Sequence, residues 1–360
     1  MATTLLVQTK AGYAVVSDAH VILASNASES ASRFLGILVA VGGFIAILLI
    51  IFLVAGRVTG KLQRPLTILI CLVPAVVLAL IGLVIPAIDT IVTSFTNQQA
   101  LTQLPAYIHG VGLKNYGYAF TDPESRSTLI RTLQWLIIVP IVAVAVGLAV
   151  ALLTDRMKRP GLAKTLIFLP TAISGVGASL IWSYVYNAPV YNNDGSAGAQ
   201  TGLLSQLAIK LGWKHPPAWL ITSPGNIYLE MMILIWIQAG FAMVVLGAAL
   251  KAIPEDILEA ARMDGANGFT LFRTVQIPMI RNTLVVVATT ITIATLKIFD
   301  IVQTINNGNF NTDVLAHKMY TDMFVTNQVG RGAALAVILF LCVVPLVAYN
   351  VVQLRKDRTR

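Results

Sequence analysis

The chain has 360 residues, of which 56% are hydrophobic and only 11% charged, with a mean hydropathy of +0.78. Soluble domains carry about 25% charged residues, so composition excludes an ordinary soluble fold and points to a polytopic membrane protein. A net charge of +9 could serve nucleic acid, but the cations collect at the edges of apolar runs, where they set topology, and nucleic acid is excluded as a partner.

Residues 1–33 begin MATTLLVQTK and lack, in order, the basic start, apolar core and cleavage site of a signal peptide. They read as an external N-terminal segment. Seven runs have the length and scarcity of charge of membrane spans: 34–55, 67–93, 129–153, 165–186, 226–250, 283–303 and 332–354. The expected fold is therefore an all-α integral membrane protein with seven transmembrane helices. The first span, with its Gly42-Gly43 pair, is separable, because the basic linker Gly56–Pro65 divides it from the rest. Residues 34–64 thus form an extra N-terminal helix and linker. Cys71 and Cys342 fall inside spans and read as packing residues, with no disulfide or metal implied.

Loop 95–128 carries GLKNYGYAFTDPESRSTLIRTLQW, which runs into the third span. Trp182, Tyr184 and Tyr186 close the fourth span and read as an interfacial aromatic belt. Loop 187–224 follows, with TGLLSQLAIKLGW and then Trp219-Leu220; Asp89 and Glu230 lie near outer span ends and read as interfacial. Between spans five and six comes a polar island, Ile253–Pro278, IPEDILEAARMDGANGFTLFRTVQIP. Pro254 suits a first helical turn, and Glu255, Asp256 and Glu259 gather at the positive end of the dipole. Ile257, Ala260 and Ala261 share one face, and Gly265 follows Asp264 where a helix would stop. A second amphipathic run, Phe269–Val275, is expected to end before Pro278, which has no N–H to donate. Two short helices joined at a glycine make a knob, and a knob needs a socket on another protein.

Cation placement orients the chain. Fifteen Lys and Arg residues lie on the side of the polar island and the C-terminus, and seven lie opposite. The positive-inside rule puts the island and the C-terminus in the cytoplasm and the N-terminus outside.

Enzyme chemistry finds no support in the sequence. The nearest approach to a phosphate-binding loop, Gly56–Leu62, has three residues between its glycines and no hydroxyl after Lys61. His20, His109, His215 and His317 are isolated and outside spans, without metal-ligand spacing. Polar and aromatic groups inside spans mark a candidate path instead: Trp236, Gln238 and Phe241 on span five, then Lys297, Phe299, Asp300 and Gln303 on span six. Lys297 and Asp300, three apart, either neutralise each other or face the path. Gln303 lies one turn beyond Phe299.

The ordered string of Glu259, Ala260 and Ala261, then Asp264, Gly265 and Ala266, then Phe272 and Pro278, resembles the EAA loop of importer-type ABC transporter permeases. Ile253-Pro254 and the Phe-Arg-x-x-x-x-Pro flank are similar to the carbohydrate (maltose-type, binding-protein-dependent) subfamily, and the resemblance extends over roughly 65–360. It implies a six-helix permease core at 65–354, a cytoplasmic coupling loop at 251–282 and a cytoplasmic tail at 355–360. It also implies a place in the bacterial cytoplasmic (inner) membrane as half of a translocation path for a disaccharide or oligosaccharide. The partners would be a second permease subunit, two copies of a cytosolic ABC ATPase, an external sugar-binding protein and membrane lipid. ATP and Mg would sit in the ATPase subunits, with no cofactor in this chain. Trp236 and Phe241 match positions that contact sugar in that subfamily, and Phe299-Asp300 resembles its Phe–polar pair. Two departures stand. The 34 residues of 95–128 cannot hold the folded domain that the maltose permease inserts there, and only Thr304 and Gly308 echo the T-x-G-G-P string after the sixth span. The alternatives are an ion-gradient-driven secondary transporter and a membrane scaffold without transport.

Overall fold

The computed structural model describes residues 5–9, 12–16, 63–155, 160–188 and 202–358, with Met157 and single positions between 36 and 49. The expected first span, 34–55, therefore lies almost wholly outside the described residues, as do most of 1–33. The chain divides into two compact units, Met1–Pro86 and Ala87–Arg360.

In the first unit, β1 (Leu5–Thr9) and β2 (Gly12–Val16) pair antiparallel, Thr9 opposite Gly12. This hairpin, within residues 1–33, qualifies the all-α expectation. Helix α1 (Gln63–Ala79) passes through a π turn at Leu80–Val84 into α2 (Ile85–Ser94). The apolar stretch Leu72–Ser94 has the composition of a membrane span, and none of its most apolar window is buried inside the chain.

The second unit begins at Ala87, within α2, and continues through α3 (Lys114–Thr121) and the 33-residue α4 (Pro123–Asp155). At 1.5 Å per residue α4 is about 50 Å long, well beyond a hydrocarbon core of about 30 Å. Its extra turns precede the expected start at 129, because Asp122 caps them: Ser125 N–H donates to Asp122 Oδ2 at 2.9 Å. Helix α8 (Gly225–Lys251) packs along α4. A Cβ on Gly147 would stand 2.5 Å from Ala242 Cβ and 2.9 Å from the Ala239 carbonyl, so only glycine allows this approach. Trp135, Val139 and Ala143 of α4, with Met231, Ala242 and Leu246 of α8, centre the buried core.

Two expected spans are not single straight helices. Run 165–186 is α5 (Pro160–Phe168) with a 3₁₀ turn at Leu169–Ala172, then α6 (Gly175–Val185), bent by 105°. Pro170 withholds a donor at the bend, and Ser174 starts α6 anew by accepting from Gly177 N–H at 3.1 Å. Run 283–303 is α12 (Arg281–Leu296), which stops at Lys297 before a separate short helix, α13 (Asp300–Ile305). Before α12 come α9 (Glu255–Met263), then α10 (Gly268–Leu271), a π turn at Phe272–Gln276 and α11 (Ile277–Met279), and Gly268–Met279 meets α12 at a 73° bend. The short α7 (Leu203–Lys210) precedes α8 in the 187–224 loop. The chain closes with α14 (Leu315–Tyr320), a π turn at Thr321–Val325 and α15 (Val329–Arg358). Four helices suffice to cross a membrane, or six if each bent pair counts as one span; the described residues do not reach seven.

Candidate functional site

The polar island folds as two helical pieces around a glycine. Glu255 and Asp256 occupy the first turn of α9 and Arg262 the last, which complements the helix dipole at both ends. Gly265 N–H donates to Arg262 O at 3.0 Å and Ala266 N–H to Ala261 O at 2.9 Å, closing the paired bonds of a Schellman stop. Gly265 sits at φ +88°, where a side chain would be strained. The second piece does not end before Pro278. The π turn Phe272–Gln276 re-spaces the backbone bonds, and Pro278 enters the first turn of α11, where its missing N–H is harmless.

No residue of α9 is buried, although one of its faces is apolar. Leu258, Leu271, Phe272, Ile277 and Ile280 fix the base of the island to the body of the protein. Glu259, Ala260, Asp264, Gly265 and Pro278 are exposed, while Ala261 and Ala266 are half-buried. Met263 and Phe269 are 88% and 70% exposed, two apolar side chains on the free surface of the knob. The result is an amphipathic knob with a fixed base whose upper surface has no cover among the described residues.

The candidate path residues fall into two settings. Trp236 meets Trp182 edge-on, with ring centroids 5.7 Å apart, and Trp182 meets Tyr186 at 5.1 Å. These rings line an apolar cavity of about 610 Å³ walled by α4, the bent α5–α6 pair and α8. Tyr184 is 77% exposed, whereas Tyr186, read as a belt residue, is buried, its hydroxyl donating to Leu229 O at 3.2 Å. Phe241 packs against the main core, and Gln238 is half-buried.

Phe299, Asp300 and Gln303 form the second setting, at the break between α12 and α13. Phe299 stacks on the His317 ring at 5.8 Å and meets Tyr320 edge-on at 4.9 Å; Tyr320 continues to Phe324 at 5.2 Å. Gln303 Nε2 donates to Asn307 Oδ1 at 2.7 Å. Asp300 is exposed beside Gly175, where a Cβ would lie 3.1 Å from its own. No ion pair joins it to Lys297 among the described residues, so the neutralising pair is not formed.

Beneath this setting lies a polar network that the sequence reading missed. Glu230, read as interfacial, is completely buried, and its Oε1 accepts from Asn306 Nδ2 at 3.0 Å. His317, read as isolated, holds Asp313 through Nδ1 at 2.7 Å. Arg131 Nε donates to Asp313 O at 2.9 Å, and Leu315 N–H to Thr132 Oγ1 at 2.8 Å, fastening the 306–318 segment to α4. Lys318 bridges Glu124 at 3.0 Å and Asp322 at 3.4 Å. Burial disfavours its ammonium, but those two carboxylates outweigh the penalty and hold Lys318 above the ordinary lysine range. The available signal was Asn226 and Glu230, polar residues four apart on one face of an apolar helix.

Comparison with known proteins follows the same lines. Residues 33–360 match the family described as the binding-protein-dependent transport system inner membrane component. The chain is 42% identical over 278 residues to the osmoprotective compounds uptake permease protein GgtC of Synechocystis sp., covering 77% of this chain and 95% of that one. It is 46% identical over 242 residues to the alpha-glucoside transport system permease protein AglF of Rhizobium meliloti, covering 67% and 70% respectively. Among solved structures, a bacterial ABC transporter importing the acidic polysaccharide alginate superposes with a TM-score of 0.67 at 18% identity, over 82% of this chain and 97% of that one. That last likeness speaks for the fold.

Proposed function

From the premise that this chain belongs to the binding-protein-dependent transport system inner membrane components, we propose that it forms half of the sugar path of an ATP-driven importer. Membership makes it a multi-pass permease subunit and not itself an enzyme. The substrate class, disaccharide or oligosaccharide, is supported by the alpha-glucoside permease and by the trehalose/maltose permease protein MalF of Thermococcus litoralis, 25% identical over 295 residues. The second half of the path comes from a sister permease, and two copies of a cytosolic ATPase supply ATP and Mg chemistry. A sugar-loaded external binding protein delivers the cargo. The cation count supports a cytoplasmic knob and C-terminus with the N-terminus outside.

The observation that carries this reading is the uncovered knob. An amphipathic helix with a fixed base and no buried residue is built to seat in another protein. Glu259 anchors it by charge-assisted hydrogen bonds, Ala260 and Ala261 allow close approach, and the stop at Asp264–Ala266 aims α10 back toward the body. Closure of the ATPases draws two such knobs together. Helices α8 and α12, continuous with the knob, carry that motion to the outer half, alternating access by rocking of rigid bundles.

The sugar path is best supported at the two helix breaks, where Asp300 meets Gly175. Irregular backbone at membrane depth survives only where protein or water satisfies it, so such breaks mark a polar cavity. Phe299 offers a ring face for sugar C–H groups, and Asp300 and Gln303 offer hydrogen-bonding partners for hydroxyls. Trp236, Gln238 and Phe241 extend the path along α8, with Trp236 at its apolar side. An ion-gradient carrier is not favoured, since it has no use for an uncovered cytoplasmic knob.

Co-purification tests the proposal. The wild-type chain should bring down an ABC ATPase in stoichiometric amount. Glu259→Lys should insert and fold normally yet lose the ATPase; uptake by the lone chain, or full retention of the ATPase by that variant, would refute the docking role.

A further inference from the structure

Resting on that reading and its orientation, we propose that a small basic pocket on the outer side, between Lys114 and Arg331, receives an acidic side chain of the external binding protein. The pocket is about 230 Å³ and lies where three distant segments meet: 96–99 after α2, the start of α3, and the start of α15. Buried hydrogen bonds pin the three together. Asn115, itself buried, donates through Nδ2 to Ser94 O at 2.9 Å and to Thr96 O at 2.8 Å, and Gly330 N–H donates to Gln98 O at 2.8 Å. Gly330 is required for this fit, because a Cβ there would collide with the Thr96 carbonyl. The void is thus held open by a fixed frame.

Neither cation of the pocket is held in an ion pair among the described residues, although the Asp122 carboxylate acts on Arg331 through space. Lys114 and Arg331 are both exposed. Arg331 lies 4.4 Å over the Tyr118 ring, which orients the guanidinium without neutralising it. Two cations over an amide-lined floor fit a carboxylate, and Arg matches its two oxygens with paired donors. The volume suits one acidic side chain and is too small for a sugar chain. The pocket also spans the outer ends of helices that run to the cytoplasmic side, so a partner seated there grips the moving parts of the transporter. A solved neighbour is a bacterial alginate transporter in complex with its substrate-loaded periplasmic protein, with a TM-score of 0.66.

The test uses the assembled transporter, two permeases with two ATPases, in nanodiscs, and measures the affinity of sugar-loaded binding protein. Lys114→Glu and Arg331→Glu should each weaken Kd by about tenfold or more and flatten its salt dependence. Lys210→Glu, on α7, should not. Exchange of the matching acidic residue of the binding protein for lysine should restore binding to Arg331→Glu. Unchanged Kd in both reversal variants, with assembly intact, would overturn the proposal. So would a loss seen in discs containing phosphatidylglycerol and absent in pure phosphatidylcholine, which assigns the pocket to a lipid phosphate. If the wild type binds no sugar-loaded protein, or a cysteine label at position 114 reacts only from the cytoplasm, the parent reading fails instead.

Discussion

The knob at 253–280, which we propose couples to an ATPase, and the segment at 297–325, outer in the proposed orientation, are both polar interruptions of an apolar chain, yet they are built in opposite ways. In the knob, polar residues point outward, α9 buries nothing, and every hydrogen bond that shapes the turn is local. In the outer segment, Asp313, His317, Lys318 and Asp322 are buried, and the segment is tied to distant elements: Arg131 and Glu124 of α4 hold Asp313 O and Lys318, and Asn306 donates to the buried Glu230 of α8. A surface meant for a partner can stay simple, because the partner will satisfy it. A polar segment inside the bundle must satisfy itself, since an unpaired buried group costs about 1–3 kcal/mol.

The comparison breaks most visibly at Gly265. Gly265→Val forces a β-branched residue to φ +88°, which costs about 1–2 kcal/mol and removes the stop that aims α10. Because a Cβ at Gly265 meets nothing within 4 Å among the described residues, the fold should survive and coupling should fail. Uptake and ATPase association should drop by tenfold or more, while the midpoint of thermal unfolding of the isolated chain shifts little. An unfolded variant would mean that the knob, like the outer segment, is a structural support.

The outer segment makes the reverse prediction. Glu230→Leu and Asn306→Leu should each destabilise the isolated chain by about 1–2 kcal/mol, because each removes the bond between them, although Asn306 Nδ2 keeps Leu220 O at 2.7 Å when Glu230 is replaced. The double substitution should cost less than the two single losses combined, and that coupling is the measurement that counts. Additive losses in denaturant unfolding would show that the 3.0 Å bond carries no energy of its own.

Legibility in the sequence follows the same division. The knob was readable because its information is contiguous: acidic first turn, alanine face, Asp264-Gly265 stop, all within a dozen residues. The apolar runs gave the long helices α4, α8 and α15, since hydropathy over twenty residues decides membrane insertion. The bends were not readable as such. Pro170 and Ser174 signal a break only once the run 165–186 is known to turn through 105°, and nothing near Lys297 announces the end of α12. The network was hidden for a different reason. Arg131 and Asp313, or Glu230 and Asn306, are ordinary residues in isolation, and only the packed bundle brings them within 3 Å. Lys318 was counted as a topological cation, whereas it is a buried ion-pair centre.

Asp122 tests the comparison at its smallest scale, because it is a local cap of the knob's kind placed at the edge of the outer network. Its carboxylate accepts from Ser125 N–H, and that bond, opposed by partial burial and aided by Lys318 and Arg331, holds its pKa below the ordinary aspartate value. A depressed folded pKa contributes stability that is present above the unfolded value and lost as pH falls through the folded one. Asp122→Ala should therefore cost about 1 kcal/mol at neutral pH, and the gap from wild type should close as pH drops below about 4. Asp122→Asn keeps a capping oxygen without a titrating group, so its stability relative to the alanine variant should not change over that range. If the alanine gap persists unchanged into acid, the cap acts through packing and not through charge, and Asp122 belongs with the buried network behind it.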